Sequence, residues 1–311
     1  MTTPPLVSII LPTHNRADRL PAAIRSASAQ TLRNIEIVVV DDGSADATPA
    51  VVEALAADDR RIRYLRKPQA SGAARARNHG ITHANGEFIA FLDDDDMWHP
   101  TKMERQVGYL TEHPDVGAVS CHYRIVFEGK QRITVWKGPT RLSARGLLWN
   151  DFAGGASFIA LRRSAFDESI VRFDERLPPC EDWDLWFRLA EKRRFDVVPE
   201  PLCTYVYHGS QALTGTREKL RDGHVRFIEK HRAEMSEACL AYHEAKLQLI
   251  GAESQRERLA LHRRFLFELP RKVRSIVAAE SLAARIGWVI GDPAIGARRL
   301  WRMIEKQERP T

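Results

Sequence analysis

Four consecutive carboxylates, Asp93 to Asp96, follow the apolar run Phe88-Ile89-Ala90-Phe91-Leu92 in the stretch GEFIAFLDDDDMWHP, residues 86–100. Like charges at the end of a buried strand repel one another, so the cluster calls for a positive partner. One reading is a solvated acidic loop, or a helix N-terminus favoured by the dipole, but a solvated loop rarely follows a buried strand so abruptly. A calcium loop of the EF-hand kind needs further oxygen ligands and a glycine at set spacing, and Met97-Trp98-His99-Pro100 supplies neither. A divalent cation that also touches a phosphate fits better, because Mg²⁺ typically takes one or two carboxylates and completes its shell with substrate phosphates. The missing positive charge is then a metal arriving with a nucleotide diphosphate.

Other residues bear on the same chemistry. Asp41 and Asp42 open a DDGS stretch that makes a good turn. At a strand end beside a nucleotide, the same carboxylates would accept hydrogen bonds from a ribose or a base edge. Arg75 and Arg77 are either surface charges or, beside Gly72 and Asn78, groups facing phosphates at a helix N-terminus. A second acidic stretch, CEDWDLW (residues 180–186), reads as a helix start with Glu181 and Asp182 near the positive end of the dipole. One of these carboxylates is also a candidate general base toward an incoming hydroxyl. Trp183 and Trp186, three residues apart, are either core or a floor for an acceptor ring. His208 is either structural or a ligand, with the structural reading favoured on the residue alone.

The elements that must position these groups follow from periodicity. Short β-branched runs at 6–11, 35–40 and 62–65, and the apolar run at 87–92, read as strands, with helices expected over 17–30, 46–57 and from 71–80 onward. Strands alternating with helices indicate a mostly parallel sheet, in which ligands bind beyond the carboxyl ends of the strands. Those ends carry Pro12-Thr13, Asp41-Asp42 and Asp93 to Asp96. Segments 117–120, 123–127 and 132–136 read as further strands, with a hairpin turn at 128–130. Residues 181–194 read as an amphipathic helix, and from about 216 the pattern is almost wholly helical.

Composition narrows the class. A chain of 311 residues, 44% hydrophobic and 28% charged, is ordinary for a globular protein and can bury a sizeable core. No apolar run reaches the roughly 18–20 residues that span a bilayer, and MTTPPLVSII lacks the charged and apolar regions of a signal peptide. The four scattered cysteines form no CxxC or zinc-like pattern and read as reduced thiols, so the expected location is cytoplasmic. Residues 214–311 hold 20 Lys+Arg against 13 Asp+Glu, whereas residues 1–213 hold 27 against 28. A basic tail of this kind suits an anionic membrane or no partner at all. Nucleic acid is not expected, because no aromatic residues interleave with the basic ones.

Six motifs in order, VSIILPTHNR (7–16), VVVDDGSADAT (38–48), GAARARNHGI (72–81), GEFIAFLDDDDMW (86–98), VRFDERL (171–177) and CEDWDLWFRLA (180–190), give a chain that resembles the inverting glycosyltransferase family 2 over roughly residues 6–210. The resemblance implies a GT-A fold, an α/β, Rossmann-like, mostly parallel sheet flanked by helices. It also implies sugar transfer from a nucleotide-diphosphate donor, usually UDP-linked, with Mg²⁺ or Mn²⁺. The family's DxD signature maps onto Asp93, Asp94 and Asp95, with Asp95 the metal-contacting carboxylate and Asp93 beside it. Some members add a later histidine, which maps onto His208. The resemblance places Pro12, Thr13, Asn15, Arg16, Asp41, Asp42, Arg77, Asn78, Asp93 and Asp94 around the donor, with Asp42 reading the nucleoside. It makes Asp182 the base, with Glu181 beside it, and it departs from the family at His14, where Tyr or Phe is usual.

The expected organisation is a catalytic domain at 1–213, with its donor half about 1–100 and its acceptor half about 101–213, followed by a basic helical region at 214–311. The acceptor implied is a hydroxyl of a glycan or lipid-linked sugar, as in bacterial surface polysaccharide synthesis. Segment 137–180, with its Gly154-Gly155-Ala156-Ser157 loop, is expected to contact it. Two alternatives remain at this level: a nucleotidyltransferase, which would release pyrophosphate, and a non-catalytic sugar-nucleotide or membrane-binding protein. Residues 270–306 carry two basic helical patterns broken at Gly291-Asp292-Pro293. They either pack on the catalytic domain or attach peripherally to the anionic inner face of the plasma membrane, where each basic residue contributes about 1 kcal/mol.

Overall fold

The computed structural model of the chain describes residues 4–128, 133–165, 170–208 and 216–252, together with 254, 256–257, 260–261 and 264–265. Residues 270–306, read above as basic helices, lie outside the described residues.

The N-terminal half is a parallel sheet whose three inner strands are buried on both faces, which is why their sequences are largely continuous apolar runs rather than alternating ones. Strand β1 (Val7–Thr13) pairs in parallel with β2 (Ile35–Asp41) on one side and with β4 (Phe88–Phe91) on the other, while β3 (Ile62–Arg66) extends the sheet beyond β2. Helices α1 (Leu20–Ser28), α2 (Thr48–Asp58) and α3 (Ala73–His83) make the crossovers. The chain winds outward from β1 through β2 to β3 and returns to the far side of β1 as β4, so a topological switch point lies between β1 and β4. The carboxyl ends of those two strands deliver Thr13 and the aspartate turn to one crevice.

The second half continues the same sheet in the order β4, β9 (Ala160–Arg162), β6 (Val116–Phe127), β10 (Arg194–Tyr207) and β5 (Met97–Trp98). β9 runs against both β4 and β6, which leaves β6 and β10 parallel to the N-terminal strands. The short β7 (Ile133–Trp136) and β8 (Arg141–Leu142) pair antiparallel at the margins of β6 and β10. The two segments expected at 117–120 and 123–127 are one continuous strand. β10 escapes the sequence reading because Pro199 and Pro201 interrupt it, and the register with β6 shifts on both sides of Pro201.

Helices α4 (Lys102–Glu112), α5 (Ala144–Trp149) and α6 (Glu181–Lys192) cover this half. α7 (Arg217–His231) and α8 (Glu237–Gly251) pack beyond α6, and their Phe227, Cys239 and Tyr242 belong to the same apolar cluster as the sheet. Asp184 of α6, fully buried, clips α7 in place by accepting from Lys230 Nζ at 2.7 Å and His231 Nε2 at 2.8 Å, with Arg188 Nε at 2.9 Å on its own helix. Among the described residues no helix is long and apolar enough to cross a membrane.

A buried histidine pair fastens α7 and α8 to the end of α5. His243 Nε2 donates to the Leu148 carbonyl at 2.7 Å, which leaves its Nδ1 to accept from His224 Nε2 at 2.9 Å. In this arrangement the His243 ring is neutral. Burial, with Lys246 nearby, drives His224 down to about 2 and His243 down to about 3. In the unfolded chain both titrate near 6.5, so below that pH the unfolded state binds more protons. Stability from the pair is then complete above about pH 6.5 and falls as pH drops toward 3, by roughly 1 kcal/mol per histidine per pH unit. Chemical denaturation between pH 7.5 and 5 is expected to show this loss, and His224→Phe is expected to have a shallower slope. An unchanged slope in that variant would remove the pair as the cause.

Candidate functional site

Each of the four aspartates after β4 meets a different partner. The Asp93 amide donates to Ser157 Oγ at 3.0 Å, and its carboxylate accepts from Arg77 Nη2 at 2.6 Å. Asp94 accepts from Thr13 Oγ1 at 2.7 Å, which ties the end of β1 to the turn. Asp96 is buried and accepts from Val206 N at 3.4 Å. Asp95 receives no hydrogen bond from another residue among those described, and its Oδ2 lies 3.6 Å from His208 Nε2. The run thus resolves into three carboxylates engaged within the chain and one turned toward a histidine.

The proton affinities fit a shortage of positive charge. Burial pushes Asp94 up to about 7, with Asp95 and Asp93 adding to the rise while Thr13 and Arg16 oppose it. Burial also raises Asp95, and the neighbouring Asp93 raises it further against His208 and Arg16. Asp96 is raised well above the carboxylate range, chiefly by burial and then by Asp93. His208 donates from Nδ1 to Glu128 Oε2 at 2.7 Å, and its Nε2 is buried with no hydrogen-bond partner among the described residues. Among the described residues no group of three or more His, Cys, Asp and Glu is placed to hold an ion. The residues nonetheless fit a hard cation whose shell is completed by phosphates, because that arrangement needs only one or two protein carboxylates. The unpartnered His208 nitrogen beside Asp95 is the observation that supports the fit.

Opposite this turn stands the first turn of α6. Arg77 of α3, its side chain 7% exposed, reaches Asp93 through Nη2 and Glu181 Oε1 through Nη1 at 3.2 Å, lying 5.3 Å from the centre of the Phe173 ring. Burial opposes its charge, but Asp93 and Glu181 more than offset this and raise its pKa. One guanidinium therefore holds the two acidic motifs together across the crevice. Glu181 Oε2 and Arg77 Nε are buried without hydrogen-bond partners.

Asp182, half-buried, accepts only from the Trp183 amide at 2.7 Å. Burial raises its pKa well above the carboxylate range, and Asp151 and Glu181 add to the rise against Arg77. Asp151 is pushed up to about 7 by burial, opposed by hydrogen bonds from the Gly154 and Ala153 amides and by Lys246. The sequence reading missed Asp151. Its only local signal is a lone carboxylate within the apolar stretch LLWNDFAGG.

Several donor-side assignments have different surroundings from those expected. Asp41 is fully buried and accepts from Ser44 N at 2.8 Å and Tyr64 Oη at 2.6 Å, which fixes the turn after β2. Asp42 accepts from Lys67 Nζ, Ser71 N and Gly72 N, each at 2.7 Å, and from Ser71 Oγ at 2.8 Å, so it gathers the 67–72 loop. Burial would raise Asp42, but those hydrogen bonds hold it below the usual carboxylate range. Gly43 sits at φ 75° with its Cα against the backbone of Gln69 and Ala70, where a Cβ would come within 2.7 Å. Asn78 is spent on the Phe173 backbone, donating to its carbonyl and accepting from its amide at 2.9 Å each.

Arg75 pairs with Glu175 at the surface. Asn15, at φ 53°, donates from its amide to Ser44 Oγ and accepts from Ala45 N, and the Arg16 amide donates to Thr48 Oγ1. The β1–α1 loop and the turn after β2 are thereby one unit, with Pro12 buried in the strand. Trp183 and Trp186 are core and not an acceptor floor. Their indoles donate to the carbonyls of Leu147 at 2.5 Å and Gly154 at 3.0 Å. Ser157, expected among acceptor contacts, is buried beneath the aspartate turn.

Comparison with known proteins agrees with this geometry. Residues 8–170 match the model of the family described as Glycosyl transferase family 2. An uncharacterized glycosyltransferase of Rickettsia typhi is 36% identical over 229 residues, covering 71% of this chain and 70% of its own length. The UDP-Glc:alpha-D-GlcNAc-diphosphoundecaprenol beta-1,3-glucosyltransferase WfgD of Escherichia coli is 32% identical over 193 residues, 62% of this chain and 73% of that one. Among solved structures, S. aureus TarS 1–349 in complex with UDP-GlcNAc superposes with a TM-score of 0.63 at 17% identity, covering 97% of this chain and 90% of that one. The mannosyltransferase PcManGT of Pyrobaculum calidifontis, in complex with GDP-Man and Mn²⁺, gives 0.62 at 20% identity, covering 98% and 87%. The structural likenesses establish the GT-A fold, and the sequence matches establish the rest: this chain is a glycosyltransferase and belongs to glycosyl transferase family 2.

Proposed function

We propose that the enzyme transfers a sugar, with inversion, from a UDP-linked donor to a hydroxyl of a lipid-linked or glycan acceptor at the cytoplasmic face of the membrane, with Asp182 as the base. The observation that carries this reading is the Arg77 bridge, which sets the aspartate turn and the first turn of α6 on two sides of one crevice at the switch point of the sheet. Support for the donor and acceptor classes comes from what the relatives' names print, a UDP-glucose donor and a diphosphoundecaprenol acceptor for WfgD and bound UDP-GlcNAc for TarS.

The division of labour follows from the surroundings of each carboxylate. Asp182, with no cationic side chain hydrogen-bonded to it and with Asp151 and Glu181 as negative neighbours, has the raised proton affinity of a base that takes a hydroxyl proton near neutral pH. Glu181 is neutralised by Arg77 and keeps the guanidinium in place. A single base acting on a hydroxyl that attacks from the face opposite the leaving diphosphate inverts the anomeric centre. Asp95 and His208, with Asp93 beside them, are the residues that would hold Mg²⁺ or Mn²⁺, which when bound supplies Lewis-acid stabilisation of negative charge on the diphosphate. Thr13 and Asp94 join β1 to this turn, and Arg16 adds positive potential beside it.

Three measurements test the assignment. Asp95→Asn is expected to abolish turnover, read as nucleoside diphosphate released in a donor screen with Mn²⁺, while the melting temperature stays near wild type. Activity that survives in EDTA, or in this variant, sinks the metal reading. Asp182→Asn is expected to lower kcat by about 10²–10⁴ while calorimetry still detects donor binding, and a variant within about threefold of wild type would move the base elsewhere. Because Asp182 must be deprotonated to act, kcat is expected to rise with pH along a limb well above the ordinary carboxylate range. Asp151→Asn, which removes a negative neighbour, is expected to move that limb toward lower pH. A limb that stays in place would uncouple Asp151 from the base.

A further inference from the structure

The parallel pairing of β6 with β10 sets Phe127 against Tyr207, so the next residues along each strand, Glu128 and His208, emerge side by side. The Glu128 amide donates to the Tyr207 carbonyl at 3.2 Å, which prolongs the ladder by one step and fixes this adjacency in the backbone. The side chains then meet, with His208 Nδ1 2.7 Å from Glu128 Oε2. Glu128 Oε1 faces Arg19 Nη2 at 3.7 Å, an arginine at the start of α1 that also lies 3.7 Å from Asp18. A line of polar groups therefore runs from the β1–α1 loop through Glu128 to His208 and on to Asp95.

The direction of the hydrogen bond decides the state of the ring. An ionised carboxylate only accepts, so Nδ1 carries the proton and, in the neutral ring, Nε2 presents a lone pair. That nitrogen is buried, has no hydrogen-bond partner among the described residues and faces Asp95 Oδ2 at 3.6 Å, beyond hydrogen-bond reach. A histidine whose purpose was to link two carboxylates would donate from both nitrogens. This one donates from one and leaves the other toward the carboxylate that has no donor of its own. In metal sites such a ring is set by a carboxylate on its far nitrogen, which fixes tautomer and orientation and raises ligand basicity.

We propose that Glu128 is a positioning residue of the site, holding His208 in the Nδ1–H tautomer with Nε2 aimed at the cation beside Asp95, and that Arg19 keeps Glu128 in place. The inference rests on the metal reading above and adds to it a residue that touches neither substrate nor ion. Nothing in the stretch Ile125-Val126-Phe127-Glu128-Gly129 signals this role, because Glu128 lies 80 residues from its partner and belongs to an ordinary strand end.

The experiment uses the full chain and Mn²⁺ with UDP, following unbound Mn²⁺ by electron paramagnetic resonance, with ¹⁵N chemical shifts of the imidazole nitrogens read in the metal-free protein. Wild type is expected to bind Mn²⁺ with UDP present and to show the Nδ1–H tautomer. Glu128→Ala is expected to weaken Mn²⁺ by about 10–100-fold and to lose the tautomer preference. Glu128→Gln, whose amide oxygen still accepts from Nδ1, is expected to recover much of both, and His208→Ala is expected to lose at least as much affinity as Glu128→Ala. Melting temperatures of the two Glu128 variants are expected to match wild type, since the side chain is half exposed.

If wild type binds no Mn²⁺ beside UDP, the metal reading itself falls and this proposal with it. If wild type binds and His208→Ala weakens the ion while Glu128→Ala stays within about twofold, the metal reading survives and the positioning role is overturned. A doubly protonated His208 near neutral pH would also overturn it, by making the ring a cation between two carboxylates.

Discussion

The crevice depends on one buried cation. Arg77 stands between Asp93 and Glu181, and its guanidinium rests near the face of Phe173. Without it, the turn after β4 and the N-terminus of α6 would face each other as opposed carboxylates in a region poor in water. The cost of such an unbalanced charge is several times that of losing an exposed ion pair. The guanidinium suits the place because its fork reaches two acceptors in fixed directions while its charge persists under burial. It also spans chain segments 104 residues apart, which makes it a constraint on the relative position of the two halves of the sheet.

The position of Asp182 is over-determined from the opposite side. The Trp183 and Trp186 indoles pin the 147–154 segment to α6, and that segment carries Asp151 with its carboxylate held by two backbone amides. His243 and Lys246 of α8 reach Leu148 and Asn150 of the same segment, and Asp184 clips α7 onto α6. Helices α7 and α8 thus shape the surroundings of Asp182 through the segment and the helix that flank it. Rigid support of this kind keeps a reacting group within the fraction of an ångström that catalysis tolerates.

The elements that build the N-terminal half were legible because a parallel sheet buried on both faces writes itself as β-branched runs, and each run closes with polar residues that mark the ligand edge. The acidic runs after β4 and at the start of α6 stand out in the sequence for the same reason, and the structure brings them together through Arg77. What local pattern could not give was the task of each carboxylate. Asp94 is settled by Thr13 across 81 residues and Asp96 by Val206 across 110. Asp41 and Asn78 look like ligand contacts in sequence, yet Tyr64 and the Phe173 backbone occupy them. Asp151 has no pattern around it at all, and β10 was hidden by its prolines.

The carboxylates divide by the kind of positive group near them, and the proposed function assigns a different role to each side of the crevice. On the α6 side, Glu181 takes the share of Arg77 that would otherwise reach Asp182, so Asp182 is left among negative neighbours with a high affinity for a proton. On the β4 side, Asp93 takes the other share, and Asp95 is left facing the imidazole of His208. The same arginine therefore starves one carboxylate on each side of compensation. On the function proposed above, a hydroxyl proton would complete one and a cation arriving with phosphate the other. A second arginine or lysine placed beside either group would then stabilise the crevice at the expense of both roles, and among the described residues eight acidic and imidazole groups, Glu128, Asp93 to Asp96, Asp151, Asp182 and His208, are served by few cations.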